Sequence, residues 1–174
     1  MISHKTRQIV RKRANFSCEY CGVSETETGG ELTIDHFEPQ GKNGSDELEN
    51  LIYACSRCNL YKGDYFPENN FDLPLWNPRV EASNQHFLLL ASGELSSLTE
   101  IGNFTIRRLR LNRFPLIEHR RQKQEENRLI LLHESLIELL EYCSEEQVLM
   151  LEEQQKLLEE QQRLLKRLLD LENK

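Results

Sequence analysis

The pattern of hydrophobic and polar positions divides the chain into a part built of short elements and a helical part. Short apolar runs alternate with turns rich in Gly, Pro and Asn through the first part, whereas residues 116–174 contain neither Gly nor Pro. Short runs between turns are typical of strands and short helices, and a leucine stripe without helix breakers predicts one long helix. We therefore expect an α+β domain over 1–115 and a helical, coiled-coil-like region over 116–174.

The first part predicts a series of small elements. In chain order they are a helix over 5–14, strands over 32–34 and 51–54, a helix over 58–62, a strand over 86–90 and a basic helix over 105–111. Gly63 is predicted to end the helix over 58–62. The segment 39–45 contains Pro39 and two glycines, so we expect a loop between the first two strands.

The last thirty residues carry a seven-residue leucine repeat. Leucine recurs at this spacing in two series, Leu151, Leu158 and Leu165, and Leu157, Leu164 and Leu171. Gln154, Gln161 and Leu168 occupy the second core position of the heptad, at the seam where two helices of a coiled coil would meet. Polar seam residues weaken a coiled coil but fix its register, and the leucine stripe needs a partner surface. The repeat favours a homodimer or a partner protein, and folding back on its own domain, for example against 129–140, is the alternative.

The net charge of −7 belongs to the helical part of the chain. Residues 1–123 hold 16 basic and 16 acidic side chains, whereas 124–174 hold 6 basic and 13 acidic ones. Basic clusters occur over 5–13 and 107–123, and local clusters rather than net charge make a phosphate-binding surface. Ordinary solvated helix faces are the alternative. No apolar run of membrane-spanning length and no signal core is present, so we expect a cytoplasmic protein.

Four of the five cysteines form two Cys-x-x-Cys pairs, Cys18 with Cys21 and Cys55 with Cys58. In a cytoplasmic chain such pairs are metal ligands rather than disulfides, and four thiolates make a closed structural zinc site. Cys143 is left over among apolar neighbours, and we predict a small buried side chain there.

The segment between the pairs contains Asp35-His36, then Asn50 after thirteen intervening residues and Asn59 after eight more. With the flanking cysteine pairs, this pattern resembles the HNH endonuclease family in the variant whose third letter is Asn. The resemblance covers 14–63 and implies a ββα-metal finger fastened by zinc. It also implies a DNA endonuclease that uses magnesium or manganese. The systems in which members of the family occur imply a role in bacterial defence.

The resemblance assigns roles to the motif residues. It implies that His36 is the general base, that Asp35 and Asn59 bind the catalytic Mg²⁺ or Mn²⁺, and that Asn50 supports the loop. An imidazole titrates near neutrality and hard oxygens suit such cations. Neighbouring strand residues point to opposite faces, so Asp35 and His36 share a site only where the strand ends or distorts. Asn59 as a helix cap is the alternative.

Basic residues near the motif are candidate nucleic-acid ligands. Lys62 follows Asn59 by about one helical turn and is predicted to reach the scissile phosphate, with an ordinary exposed lysine as the alternative. Arg107, Arg108 and Arg110 are predicted to contact the backbone of DNA. Two rival functions stay open, namely a nuclease acting on RNA and a non-catalytic zinc-ribbon binding or adaptor protein.

Overall fold

The computed structural model describes residues 2–69 and 71–172, apart from the side chains at positions 165 and 168–172. The chain divides into two units, Met1–Gln124 and Glu125–Lys174. The predicted ranges 1–115 and 116–174 stay predictions, because one helix runs across both that boundary and the one between the units. Residues 1, 70, 173 and 174 of those ranges lie outside the described residues.

The first unit combines short helices with two small antiparallel sheets. The helices are α1 (His4–Arg13), α2 (Glu25–Thr28), α3 (Ser56–Lys62), α4 (Glu100–Arg108) and the start of α5 (Phe114–Glu172). The strands are β1 (Thr33–His36), β2 (Leu51–Ala54), β3 (Phe87–Leu89) and β4 (Leu95–Ser97). This mixture of helices and sheets, with a long C-terminal helix, agrees with the predicted α+β class.

Helix α4 and strand β4 differ from the sequence prediction. Helix α4 begins at Glu100 rather than at 105, because the Thr99 hydroxyl caps it and accepts a hydrogen bond from the Gly102 backbone at 3.0 Å. Strand β4 was not predicted. Its sequence, Leu-Ser-Ser, is too short and polar to give a strand pattern, and it exists because it pairs with β3.

The core of the first unit surrounds β2. All four residues of β2 are buried, which explains its uninterrupted apolar sequence. It pairs antiparallel with β1, so that Asp35 lies opposite Ile52 and His36 opposite Leu51. Helix α1 packs on β2 and α3 packs on β1. The first sheet therefore contacts both helices, and α3 follows β2 directly.

A second group of buried side chains anchors the segment after α3. Trp76 is buried, packs edge-on against Tyr20 and Phe87, and its backbone N–H donates to Thr105 Oγ1 at 2.8 Å. The hydroxyl of Thr105 thus ties the loop at Trp76 to helix α4. This packing holds the basic end of α4 within the first unit.

The described part of the second unit consists of the α5 helix from Glu125 onward. Its described leucines are exposed, for example Leu151 at 64% and Leu157 at 60%. Because 114–172 form one continuous helix, the leucine repeat does not fold back on 129–140. Cys143 is exposed, so the prediction that it is buried was wrong. Leu165, Leu168 and Leu171, which were assigned to the repeat, lie outside the described side chains. Among the described residues, no helix has the length and apolar character needed to cross a membrane.

Candidate active site

The four paired cysteines converge in one buried cluster. The sulfur atoms of Cys18, Cys21, Cys55 and Cys58 all lie within 4.8 Å of one another. Cys21 Sγ and Cys55 Sγ are 3.7 Å apart. A tetrahedral zinc ion with Zn–S bonds of about 2.3 Å separates its sulfur ligands by about 3.8 Å. The cluster therefore has the donor set and the spacing of a structural zinc site, with all four positions taken by sulfur.

The backbone around the cluster explains how short elements bring the sulfurs together. After α1, Asn15 and Phe16 adopt positive φ angles of 49° and 56°, which turn the chain toward Cys18. Cys55 is the N-cap of α3, and its sulfur lies 3.4 Å from the Cys58 backbone nitrogen. One pair thus sits in the turn after α1 and the other at the start of α3.

Asn50 fastens the loop between β1 and β2. Its Oδ1 accepts from the Glu38 backbone N–H at 2.8 Å, and its Nδ2 donates to the carbonyls of Glu38 at 3.0 Å and Ser45 at 2.9 Å. Gly44 also lies in this loop, where a Cβ would come within 1.7 Å of the Glu38 carbonyl oxygen. The two ends of the 38–45 segment are therefore held in contact, and only glycine fits at their closest point.

His36 lies at the end of β1, beside this loop. Its side chain is 16% exposed, and Nε2 lies 2.7 Å from Oδ1 of Asp46. Gln40 Nε2 donates to the same oxygen at 2.8 Å. The hydrogen bond from His36 lowers the pKa of the Asp46 carboxyl below its ordinary value. Asp46 was not found by sequence reasoning, because it lies in a polar loop and no spacing links it to His36.

Asp35 faces helix α3 and is paired with Lys62. The Lys62 ammonium lies 3.1 Å from Asp35 Oδ2 and donates to the His36 carbonyl at 2.6 Å. Burial raises the pKa of the Asp35 carboxyl, against the opposing effect of the Lys62 charge. Lys62 is 1% exposed, so its ammonium is not positioned to reach a scissile phosphate, and it is not an exposed lysine either.

Asn59 lies on the same side of the sheet as Asp35. Its Nδ2 is 3.5 Å from Oγ1 of Thr33, which shares a face of β1 with Asp35. The alternative that Asn59 caps α3 was wrong, since Cys55 is the N-cap. His36 is the last residue of β1, and its imidazole contacts Asp46 rather than Asp35.

The oxygen ligands offered by β1 and α3 suit a divalent cation. Asp35 Oδ2 is buried, and the Lys62 ammonium at 3.1 Å is its partner among the described residues. Asn59 is half-buried and adds an amide oxygen, which is also a hard ligand. The donor types therefore fit Mg²⁺ or Mn²⁺, and Lys62 at 3.1 Å is the group that balances the Asp35 charge in this structure.

The predicted arginines lie at and after the end of α4. The Arg108 guanidinium stacks over Tyr65 at 4.3 Å and donates to the Lys62 carbonyl at 3.2 Å. Arg110 stacks over Tyr61 at 4.8 Å. Arg107, like these two, is exposed. Both stacked arginines are thus held against rings on or just after α3, the helix that carries Asn59.

Comparison with known proteins gives one family and one relative. The model of the HNH endonuclease family matches residues 18–65, which confirms the resemblance over that segment. Over 54 residues, the chain is 41% identical to the CRISPR-associated endonuclease Cas9 of Corynebacterium diphtheriae. The aligned part is 30% of this chain and 5% of that protein. No solved structure matches the chain significantly.

Proposed function

We propose that the protein is a metal-dependent endonuclease that hydrolyses phosphodiester bonds in DNA. The observation that carries the proposal is the His36 imidazole, which lies at the end of β1 within the HNH segment and directly follows the inward-facing Asp35. The order β1, β2, α3 supports the view that these elements form a ββα-metal finger. Four sulfur donors leave no open position for water, so the role proposed for the cysteine cluster is structural.

In this proposal each residue has one task. His36 accepts a proton from the water that attacks phosphorus, which is the work of a general base. Asp35 and Asn59 would hold Mg²⁺ or Mn²⁺, and the bound cation would supply stabilisation of the negative charge that develops on the phosphate. Asn50 keeps the loop in register beside His36 through its three backbone hydrogen bonds. Lys62 balances Asp35, a role that replaces the phosphate contact predicted from the sequence.

The stacked arginines are proposed to bind the nucleic-acid backbone. Arg108 and Arg110 are exposed, and the tyrosine rings beneath them restrict the guanidinium groups before any ligand arrives. The planar guanidinium group can donate two hydrogen bonds to phosphate oxygens. Because the rings already restrict these groups, less conformational entropy is lost when a phosphate binds. Arg107 is proposed to contribute to the same surface. These contacts do not distinguish DNA from RNA, which leaves that choice to experiment.

The test is nicking of supercoiled plasmid by zinc-loaded protein, with magnesium supplied or withheld. His36→Ala is expected to lower the rate by at least ~10²-fold, the usual effect of removing a general base. His133→Ala is the matched control, because His133 is an exposed histidine of the second unit. Parental nicking by His36→Ala would refute the proposal. Cleavage of short RNA in preference to plasmid would favour the ribonuclease alternative, and binding without cleavage would favour the adaptor.

The exposed leucine repeat supports a second proposal, self-association through α5 or docking to a partner protein. Leu151, Leu158 and Leu164 are each more than half exposed in the single chain. Deleting 145–174 is expected to lower the molecular mass measured by light scattering while nicking per active site is retained. An unchanged monomeric mass for both chains would exclude the homodimer.

A further inference from the structure

The contact between His36 and Asp46 is not one of the motif's assigned interactions. The Asp46 carboxylate accepts through one oxygen, Oδ1, from both His36 Nε2 at 2.7 Å and Gln40 Nε2 at 2.8 Å. The His36 side chain is 16% exposed and Asp46 is 45% exposed. The imidazole is thus largely enclosed, and its partner carboxylate is itself oriented by a second donor.

The loop leaves little freedom for this contact. Asn50 holds the carbonyl of Ser45, the residue directly before Asp46, and also both backbone groups of Glu38, two residues after His36. The same side chain therefore fixes the chain on both sides of the His36–Asp46 contact. The closed loop therefore determines the geometry of this contact. An exposed ion pair between two freely moving side chains is different, because it usually contributes little to stability.

We propose that Asp46 is a positioning residue for the general base. By accepting a hydrogen bond from Nε2–H, its carboxylate selects the His36 tautomer in which Nδ1 is unprotonated and can take a proton. The two ring nitrogens of histidine are distinct, and the bond made by one determines the chemistry of the other. This inference rests on the proposed function, since it specifies how the proposed base is oriented.

Attack of water on phosphorus is accompanied by proton transfer to His36. Water's oxygen forms a bond to phosphorus while one of its O–H bonds breaks, and that proton goes to His36 Nδ1. The bond from phosphorus to the leaving oxygen breaks, and the leaving oxygen takes the electron pair and a proton from solvent. His36 is then an imidazolium, whose charge lies beside the Asp46 carboxylate. Asp46 thus stabilises the charge that appears only as the reaction proceeds.

The kinetic test compares Asp46→Asn with Glu47→Gln, a matched change to the next carboxylate of the same loop, which is exposed. Asp46→Asn is expected to lower kcat by about 10- to 100-fold with little change in KM, by analogy with the range for groups that orient metal-ligating histidines. Glu47→Gln is expected to nick at the parental rate. Zinc content and Trp76 fluorescence check that each variant is folded, and Gln40→Ala, expected to show a smaller loss, replaces Asp46→Asn if that variant fails to fold.

A double-mutant cycle separates orientation from general support of the loop. In a His36→Ala background, Asp46→Asn is expected to cause no further loss, because the group it orients is gone. An equal loss in both backgrounds would show a structural role and overturn the proposal. A kcat within twofold of the parental value for Asp46→Asn would overturn it as well.

A spectroscopic arm distinguishes failure of this inference from failure of the proposed function. Long-range ¹H–¹⁵N correlation spectra report which histidine nitrogen carries the proton, whether or not the protein cleaves DNA. At a fixed pH where His36 is neutral, the Nε2–H tautomer is expected in the parental protein, with more Nδ1–H in Asp46→Asn. An Nδ1–H tautomer in the parental protein would overturn the inference alone. Absence of nicking with an Nε2–H tautomer would instead overturn both the proposed function and the catalytic role given to Asp46.

Discussion

Replacing Lys62 with methionine is expected to destabilise the first unit strongly. Methionine has a similar length and fills the same buried space, so the change removes the charge with little loss of packing. It leaves the inward-facing Asp35 carboxylate without its ion-pair partner at 3.1 Å and the His36 carbonyl without its donor at 2.6 Å. A single lysine thus supports both residues of the Asp35-His36 pair.

The expected magnitude follows from the burial of the pair. Lys62 is 1% exposed and the Asp35 side chain is 15% exposed. Removing one partner of a buried ion pair costs about 3–5 kcal/mol, because an uncompensated charge remains. With a urea slope of about 2 kcal/mol per M, a loss near 4 kcal/mol moves the unfolding midpoint by roughly 2 M. Changing both partners, Lys62→Met with Asp35→Asn, is expected to recover most of this loss, since no charge is left buried.

The loss is also expected to depend on pH. Burial already raises the pKa of Asp35, and without Lys62 the folded-state pKa rises further. A group whose pKa is raised by folding contributes stability at low pH that is lost as pH rises through the folded-state value. The deficit of Lys62→Met relative to the parental protein is therefore expected to shrink as pH falls from 7 toward 4.

Trp76 provides the assay. It is the protein's one tryptophan and it is buried in the first unit, so its fluorescence follows unfolding of that unit. Lys42→Met is the control, since Lys42 makes a more exposed pair with Glu68, and such pairs contribute 1 kcal/mol or less. All chains are compared at one free zinc concentration. If Lys62→Met shifts the midpoint no more than Lys42→Met does, the assignment of a buried, structurally required pair is wrong.

Three further predictions concern the metal cluster, the loop and helix α2. Cys55→Ser is expected to lower zinc content, measured by native mass spectrometry, and to unfold the finger at 37 °C; a zinc-loaded, cooperatively folded variant would contradict the zinc assignment. Gly44→Ala is expected to slow nicking by roughly a hundredfold, because its Cβ would lie 1.7 Å from the Glu38 carbonyl oxygen, whereas Gly41→Ala, with open space around it, leaves the rate unchanged. Although desolvation opposes them, hydrogen bonds at the α2 N-cap lower the pKa of Glu27 to about 2. The contribution of Glu27 to folding stability is therefore full above pH ~4.3 and is lost as pH falls toward 2. Glu27→Gln is therefore expected to show a smaller drop in urea midpoint between pH 7 and pH 3 than the parental chain, and an equal drop would contradict this reasoning.

The features predicted well from the sequence are those that local spacing encodes. The two Cys-x-x-Cys pairs converge, and the apolar run at 51–54 is a buried strand with the predicted bounds. Each depends on residues a few positions apart, where backbone geometry relates sequence to position directly. The HNH pattern is likewise a matter of spacing, and the family match over 18–65 confirms it.

The features that were missed depend on contacts between distant segments. Lys62 lies on a short helix whose sequence suggests an exposed lysine, yet it is buried because α3 packs over Asp35 of β1. Asp46 lies in a polar loop, and only the closure of that loop by Asn50 brings it to His36. No periodicity along the chain encodes either contact, because both depend on which side of β1 each neighbouring segment covers.

The two ends of the β1–β2 pair are held by different means, and this separates stability from activity. Two strands of four residues are not stable alone. At the Ala54 end the following cysteine belongs to the sulfur cluster, whereas at the Leu51 end the preceding Asn50 holds the loop beside His36. Loss of zinc is therefore expected to unfold the segment of β1, β2 and α3, whereas loss of the Asn50 side chain is expected to release mainly the end that carries His36. Asn50→Ala is accordingly expected to keep its zinc while nicking falls nearly as far as in His36→Ala; loss of zinc from Asn50→Ala would show that the two ends are not independent.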